Sequence, residues 1–141
     1  MTNEAKMRQY GSTATDFICA DGTGIEKGAL LMLTDPRTVA LSTGDEDYFV
    51  GIAGREKIAS DGRVRIAVYT DGIFDIMCSG AVTAGQAVAT FSSTGGSNFI
   101  TVATATAIGN KTVGIALEDS AAGTPELIQI QLNPGCNNTA Y

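Results

Sequence analysis

Histidine is absent from the 141-residue chain, and with it go the usual general base, the usual partner of a nucleophilic triad and the commonest metal ligand. Most hydrolase mechanisms therefore have no centre to build on. Positive charge is scarce as well. The formal charge is −6, and residues 66–141 hold only Lys111 against five acids, whereas residues 1–65 hold eight Lys and Arg against ten Asp and Glu. Binding to a phosphate backbone depends on neutralising it with Lys and Arg, so no nucleic-acid partner is expected, and a partner with a basic surface fits better. No apolar run approaches the roughly 20 residues of a membrane-spanning helix, so no membrane association is expected. Cys19, Cys78 and Cys136 are odd in number, far apart and in no C-x-x-C pair, which argues against a zinc knuckle or a disulfide framework. Free thiols are expected, with Cys78 a small buried apolar residue and Cys136 exposed. Glu4, Lys6 and Arg8 are followed by no apolar stretch, so no secretory signal is expected and the chain should stay in the cytoplasm where it is made.

What the chain does have is glycine and short apolar runs. Seventeen glycines and only three prolines punctuate segments rich in Val, Ile, Thr and Ala, the texture of an all-β protein. Strands are predicted over Phe17–Ala20, Ala29–Leu33, Thr38–Ser42, Phe49–Ala53, Val64–Tyr69 and Ile73–Cys78, then Ala87–Phe91, Phe99–Ala103, Thr112–Leu117 and Leu127–Leu132. Asp35-Pro36, Asp61-Gly62, Asp71-Gly72, Gly95-Gly96 and Asn133-Pro134-Gly135 mark turns, and Asp-Gly or Gly-Gly supplies the positive φ of tight hairpins. Thr101–Gly109 alternates Ala and Thr and is compatible with a strand or a helical turn. The polar stretch 1–16 reads as an N-terminal arm that orders against a partner, 17–135 as one β domain, and 136–141 as a short tail.

Within that domain a pattern repeats. Val50-Gly51-Ile52-Ala53 recurs as Val113-Gly114-Ile115-Ala116, 63 positions later. Gly28 and its following apolar run correspond to Gly85 and Ala87–Ala89 at 57, Val39 and Leu41 to Ile100 and Val102 at 61, and Val64, Ile66 and Val68 to Ile128, Ile130 and Leu132 at 64. The repeat units span about 25–68 and 82–132. Two copies are too few for a solenoid, so a small pseudo-two-fold β-barrel or sandwich is expected, with Gly51 and Gly114 at equivalent bulges or close backbone contacts.

Candidate chemistry is thin. The carboxylates of Asp45-Glu46-Asp47 and Glu118-Asp119 could in principle hold a hard cation, but a solvated loop is the plainer reading, and no metal or other cofactor is expected. Gly22–Gly28 and Gly109–Thr112 lack the G-x-x-x-x-G-K-[ST] spacing of a phosphate loop. Arg55, Lys57, Arg63 and Arg65 bracket one hairpin as a modest contact patch, diluted by Glu56 and Asp61.

The order Ile25–Met32, Val-Gly-Ile-Ala, Ala-Gly loop and alternating Leu127–Leu132 ending in Asn133 resembles the small bacteriophage capsid cement or decoration proteins, a family formerly labelled predicted phage recombinases. The resemblance covers about Ile25 to Asn133. It implies a non-enzymatic, homotrimeric virion protein, made in the host cytoplasm and bound to the capsid exterior, where it braces major capsid protein subunits. Such a role suits sheet edges and arms that take part in strand addition, with Met7, Tyr10, Phe17 and Ile18 as candidate capsid contacts. The competing readings are a nucleic-acid-binding β-barrel of phage recombination or replication and a small metal-dependent enzyme.

Overall fold

A computed structural model describes residues 3–9, 14–93, 96–104, 111–123 and 125–134. Among them lie eleven strands and no helix: β1 (Lys6–Gln9), β2 (Thr15–Ile18), β3 (Leu30–Asp35), β4 (Thr38–Leu41), β5 (Phe49–Ala53), β6 (Arg65–Tyr69), β7 (Gly72–Cys78), β8 (Ala87–Ser93), β9 (Gly96–Val102), β10 (Thr112–Ala116) and β11 (Glu126–Leu132). The all-β expectation holds. Ten strands coincide with those anticipated, give or take up to three residues at an end. The other, β1, reads Lys-Met-Arg-Gln, and what makes it a strand is its antiparallel neighbour β7.

The duplication builds two barrels. Strands β2 to β6 close in the order β2-β4-β3-β5-β6, and β7 to β11 repeat it as β7-β9-β8-β10-β11. In each, one parallel pair completes the ring, Ile18 beside Thr38 in the first and Met77–Cys78 beside Phe99–Ile100 in the second. Each repeat carries enough strands to satisfy its own edges, so neither has to borrow half a barrel from the other. The repeating unit also includes β2 and β7, upstream of the segments that match by sequence.

Registers fix the correspondence. Ala53 faces Val68 as Ala116 faces Ile130, so the closing strands match at 62 positions and Val68 answers to Ile130, not Leu132. Val64, exposed and outside β6, has no place in the buried row. The first barrel's core of Phe17, Cys19, Ile25, Leu31, Val39, Ala53, Ile66 and Val68 is replaced in the same order by Ile76, Cys78, Val82, Val88, Ile100, Ala116, Ile128 and Ile130. Cys19 and Cys78 are thus one position used twice. Both are free, buried thiols whose pKa is raised by burial. Cys136 lies outside the described residues.

Both faces of β3 are buried at its start. Leu31 points into the first barrel, while Leu30, with Phe49 and Ile52 of β5, joins the core of the second barrel. This double burial explains why Ala29, Leu30 and Leu31 are consecutively apolar instead of alternating. Asp71-Gly72, read as a hairpin turn, carries the chain between barrels: β6 pairs with β2 and β5, and β7 with β1, β9 and β11.

Gly51 and Gly114 sit where the ring is tightest. A Cβ on Gly51 would lie 2.3 Å from the carbonyl oxygen of Tyr69, and one on Gly114 2.0 Å from that of Gln131. The ladder slips beside each: Leu31 and Met32 pair with Gly51 and Phe49, skipping Val50, and Val88 and Ala89 pair with Gly114 and Thr112, skipping Val113. Bulge and close approach coincide in both barrels.

Two stability outcomes follow from this packing. Gly51→Ala and Gly114→Ala should each cost about 3 kcal/mol or more by overpacking against backbone that cannot yield, whereas Gly22→Ala, which meets nothing within 4 Å, should stay within about 0.5 kcal/mol of wild type. Urea denaturation midpoints test the contrast. The buried hydroxyl of Thr112 has no hydrogen-bond partner among the described residues, so Thr112→Val should raise stability by about 1 kcal/mol in the same assay.

Candidate functional site

The loop between β4 and β5 fastens the barrels to each other. Glu46 donates its N–H to the carbonyl of Thr90 at 2.9 Å, and Asp47 donates its N–H to the Thr90 hydroxyl at 2.8 Å. Asp45 accepts from the Ser92 N–H at 2.7 Å, and the Glu46 carboxylate accepts from both the N–H and the hydroxyl of Thr104. Asp47 turns inward on its own loop, taking hydrogens from Ser42 Oγ and from the N–H groups of Thr43 and Gly44. Opposite these contacts, the side-chain oxygen of buried Asn98 accepts from the Leu30 N–H at 3.0 Å. Asp45-Glu46-Asp47, expected as a solvated loop, is therefore a joint. Its carboxylates are committed to donors, as are Glu118 and Asp119, which accept from the N–H groups of Gln129 and Ala84. Among the described residues no cluster of acidic or cysteine side chains is arranged to hold a metal ion.

Lys57, expected on a surface patch, is 2% exposed. Its ammonium donates to the carbonyls of Asp21 and Ile58 and to carboxylate oxygens of Asp21, at 3.2 Å, and Asp61, at 3.0 Å. Burial alone would lower the lysine pKa; the bonds to Asp61 and Asp21 outweigh it and hold the value above the ordinary one. The Arg63 N–H, followed by the Lys57 ammonium, keeps the Asp61 carboxyl below the usual carboxylate range. The second barrel solves the same problem with a hydroxyl: Ser120 pairs with Val82 as Lys57 pairs with Ile25, and its Oγ bonds the carbonyl of Gly80 at 3.1 Å. The lysine is thus a structural knot tying two loops.

The four residues expected to contact a capsid do not form one patch. Met7 is half-buried in β1 opposite Phe74 of the second barrel. Phe17 lies in the core of the first, its ring 4.5 Å beneath the Arg37 guanidinium. Ile18, next to it, faces outward and is 37% exposed. Tyr10 lies outside the described residues. Part of the stretch expected to be an arm that orders against a partner lies along the body of the chain itself: Ala5 is buried and donates its N–H to the carbonyl of Gly28, and β1 runs along β7. A hollow of about 280 Å³ lies beneath it, lined by Met7, Lys27, Ile52, Tyr69 and Phe74 among others. Elsewhere Leu33 and Tyr48 stand exposed around an apolar hollow that also touches Val50 and Pro134, with the Lys111 ammonium 4.8 Å over the Tyr48 ring. Neither residue was a sequence candidate, since single apolar residues at strand ends look like core.

Two closed barrels, fused by a shared core and by a loop whose carboxylates are engaged by donors, define an all-β structural module. A family model described as phage cement protein matches residues 9–132, a span that takes in both barrels from β2 to β11. The chain belongs to the phage cement protein family, whose members are structural, capsid-stabilising proteins of the virion. No curated protein matches it.

The Lys57 knot gives a pH-dependent stability. The depressed pKa of Asp61 contributes stability that is present above the ordinary carboxylate pKa and lost as pH falls through the lowered value; the raised pKa of Lys57 contributes stability present below the ordinary lysine pKa and lost as pH rises through the raised value. Lys57→Met should therefore lower the melting temperature most between roughly pH 5 and 9, with the deficit narrowing at either extreme. Thermal melts followed by circular dichroism across pH check this. A deficit that stays constant with pH would contradict the ionic role.

Proposed function

We propose that this cement protein binds the outer surface of a phage capsid as a homotrimer and stabilises the contacts between major capsid protein subunits, after synthesis in the host cytoplasm. The observation that carries this reading is that the family match, over residues 9–132, runs through both barrels and the Asp45–Asp47 loop that joins them, so the cement unit comprises the two barrels together. The physics of the body supports it. A brace has to resist deformation, and here the two barrels are tied by a continuous apolar core, by the Asp45–Asp47 loop and by the N-terminal strand. No chemistry is required of it, in keeping with a chain that has no histidine. Of the three described candidates, Ile18 offers the most open apolar surface to a partner, while Phe17 serves the core.

Purified protein added to capsids assembled without it should bind to saturation at a fixed number of sites per shell and raise the temperature at which the shells disrupt, in step with occupancy. Cosedimentation and calorimetry read both quantities. Failure to bind such shells, or binding with no change in their stability, would remove this reading.

A further inference from the structure

The two barrels carry opposite charge at corresponding loops. Around the loop between β5 and β6 the first barrel presents Arg55, Arg63 and, at the start of β6, Arg65, all exposed and in no ion pair among the described residues. Glu56 is exposed beside them, and Asp61 is engaged by Lys57. In the register that equates Ala53 with Ala116 and Val68 with Ile130, Arg55 answers to Glu118, Glu56 to Asp119 and Val64 to Glu126. The loop between β10 and β11 and the first residue of β11 therefore place Glu118, Asp119 and Glu126, all exposed, where the other barrel has its arginines. The bonds Glu118 and Asp119 accept come from neutral backbone N–H groups, so their charge is not cancelled, and residues 112–134 contain no Lys or Arg. Apolar surface accompanies both loops: Ile58 and Val64, 65% and 53% exposed, at the basic end, and Leu117 and Leu127, 39% and 43% exposed, at the acidic end.

We propose that these loops are the two halves of one interface, the arginine loop of one copy docking on the acidic loop of a second copy. The occupant is another copy of this chain because the complementary charge and the matching apolar residues are both present in its own other barrel. The two loops belong to different barrels of one molecule, so each copy meets its neighbour through unlike surfaces, the contact is head-to-tail, and such an interface closes into a ring when its rotation allows. This deepens the homotrimer part of the proposed function by assigning it a surface. Opposed charge would steer the encounter and set its orientation, and screening would weaken it as salt rises.

Sedimentation of the purified full chain, with no capsid present, tests the interface separately from capsid binding. Wild type should associate at low salt, and dissociation should grow at about 0.5 M salt as screening shortens. Arg55→Glu/Arg63→Glu/Arg65→Glu should weaken association about tenfold or more, as should Glu118→Lys/Glu126→Lys, and a chain bearing both sets should recover it. Unchanged circular dichroism would confirm that the exposed substitutions leave the barrels folded; if Glu118→Lys disturbs its bond to the Gln129 N–H, Glu126→Lys alone supplies the acidic-side arm. A monomeric wild type, or an association indifferent to both reversals, would overturn the proposal. So would a monomeric chain whose arginine reversal weakens only its attachment to capsids, which would assign the arginines to an acidic capsid surface.

Discussion

Closing a sheet of only five strands brings backbone against backbone, and the structure depends on the one place in each ring where that approach leaves no room for a side chain. At Gly51 and Gly114 the carbonyls of Tyr69 and Gln131 occupy the space a Cβ would need. The bulge beside each glycine takes up the strain of curvature and re-aims the residues that follow. In the first barrel this directs Ile52 toward the neighbouring barrel while Ala53 stays inside. The repeated Val-Gly-Ile-Ala is thus both the closure of each ring and a part of the seam between them.

From that seam outward, two scaffolds of the same strand order have diverged in their side chains. Gly28 and Gly85 donate to the carbonyls of Ala53 and Ala116 in the same way, and the buried rows exchange one aliphatic for another with little change in kind. Polar positions diverged further. A buried lysine with two carboxylates in one barrel is a serine on a carbonyl in the other, and both satisfy the buried acceptor at that point. The joint uses a third solution, carboxylates accepting backbone and hydroxyl hydrogens across the seam.

Much of this was legible in the residues. Alternation in Val64–Val68 and Leu127–Leu132 gave the buried faces, apart from exposed Val64, and the recurring glycines gave the duplication and its close contacts. What the letters could not convey was closure. Whether ten strands form one ring or two depends on pairings between residues far apart, such as Met77 with Phe99, which leave no local trace. The two-residue error at the closing strand came from period-2 alternation, which looks the same after any even shift. Lys57 read as surface because a lysine is buried only when carbonyls and carboxylates converge on it, and Asp21 and Asp61 converge only in three dimensions. Lys6–Gln9 read as an arm for want of apolar alternation, yet its neighbour supplies the hydrogen bonds. The opposite charges of the two loops were on the page as composition, but only the register shows that they occupy the same place.

Strand β9 covers only the latter part of β7, at Met77 and Cys78, and β1 covers the part before it, from Ile73 to Asp75. In the first barrel the corresponding stretch of β2 is stopped by a side chain: Arg37 donates from its guanidinium to the carbonyl of Asp16 and lies over Phe17. The remaining edge, that of β1 itself, is four residues long, irregular in register and charged at Lys6 and Arg8, a poor template for another strand. A chain rich in β structure is in this way guarded against fibrous polymerisation. Crowded copies can meet through their side chains while their backbones remain closed to one another.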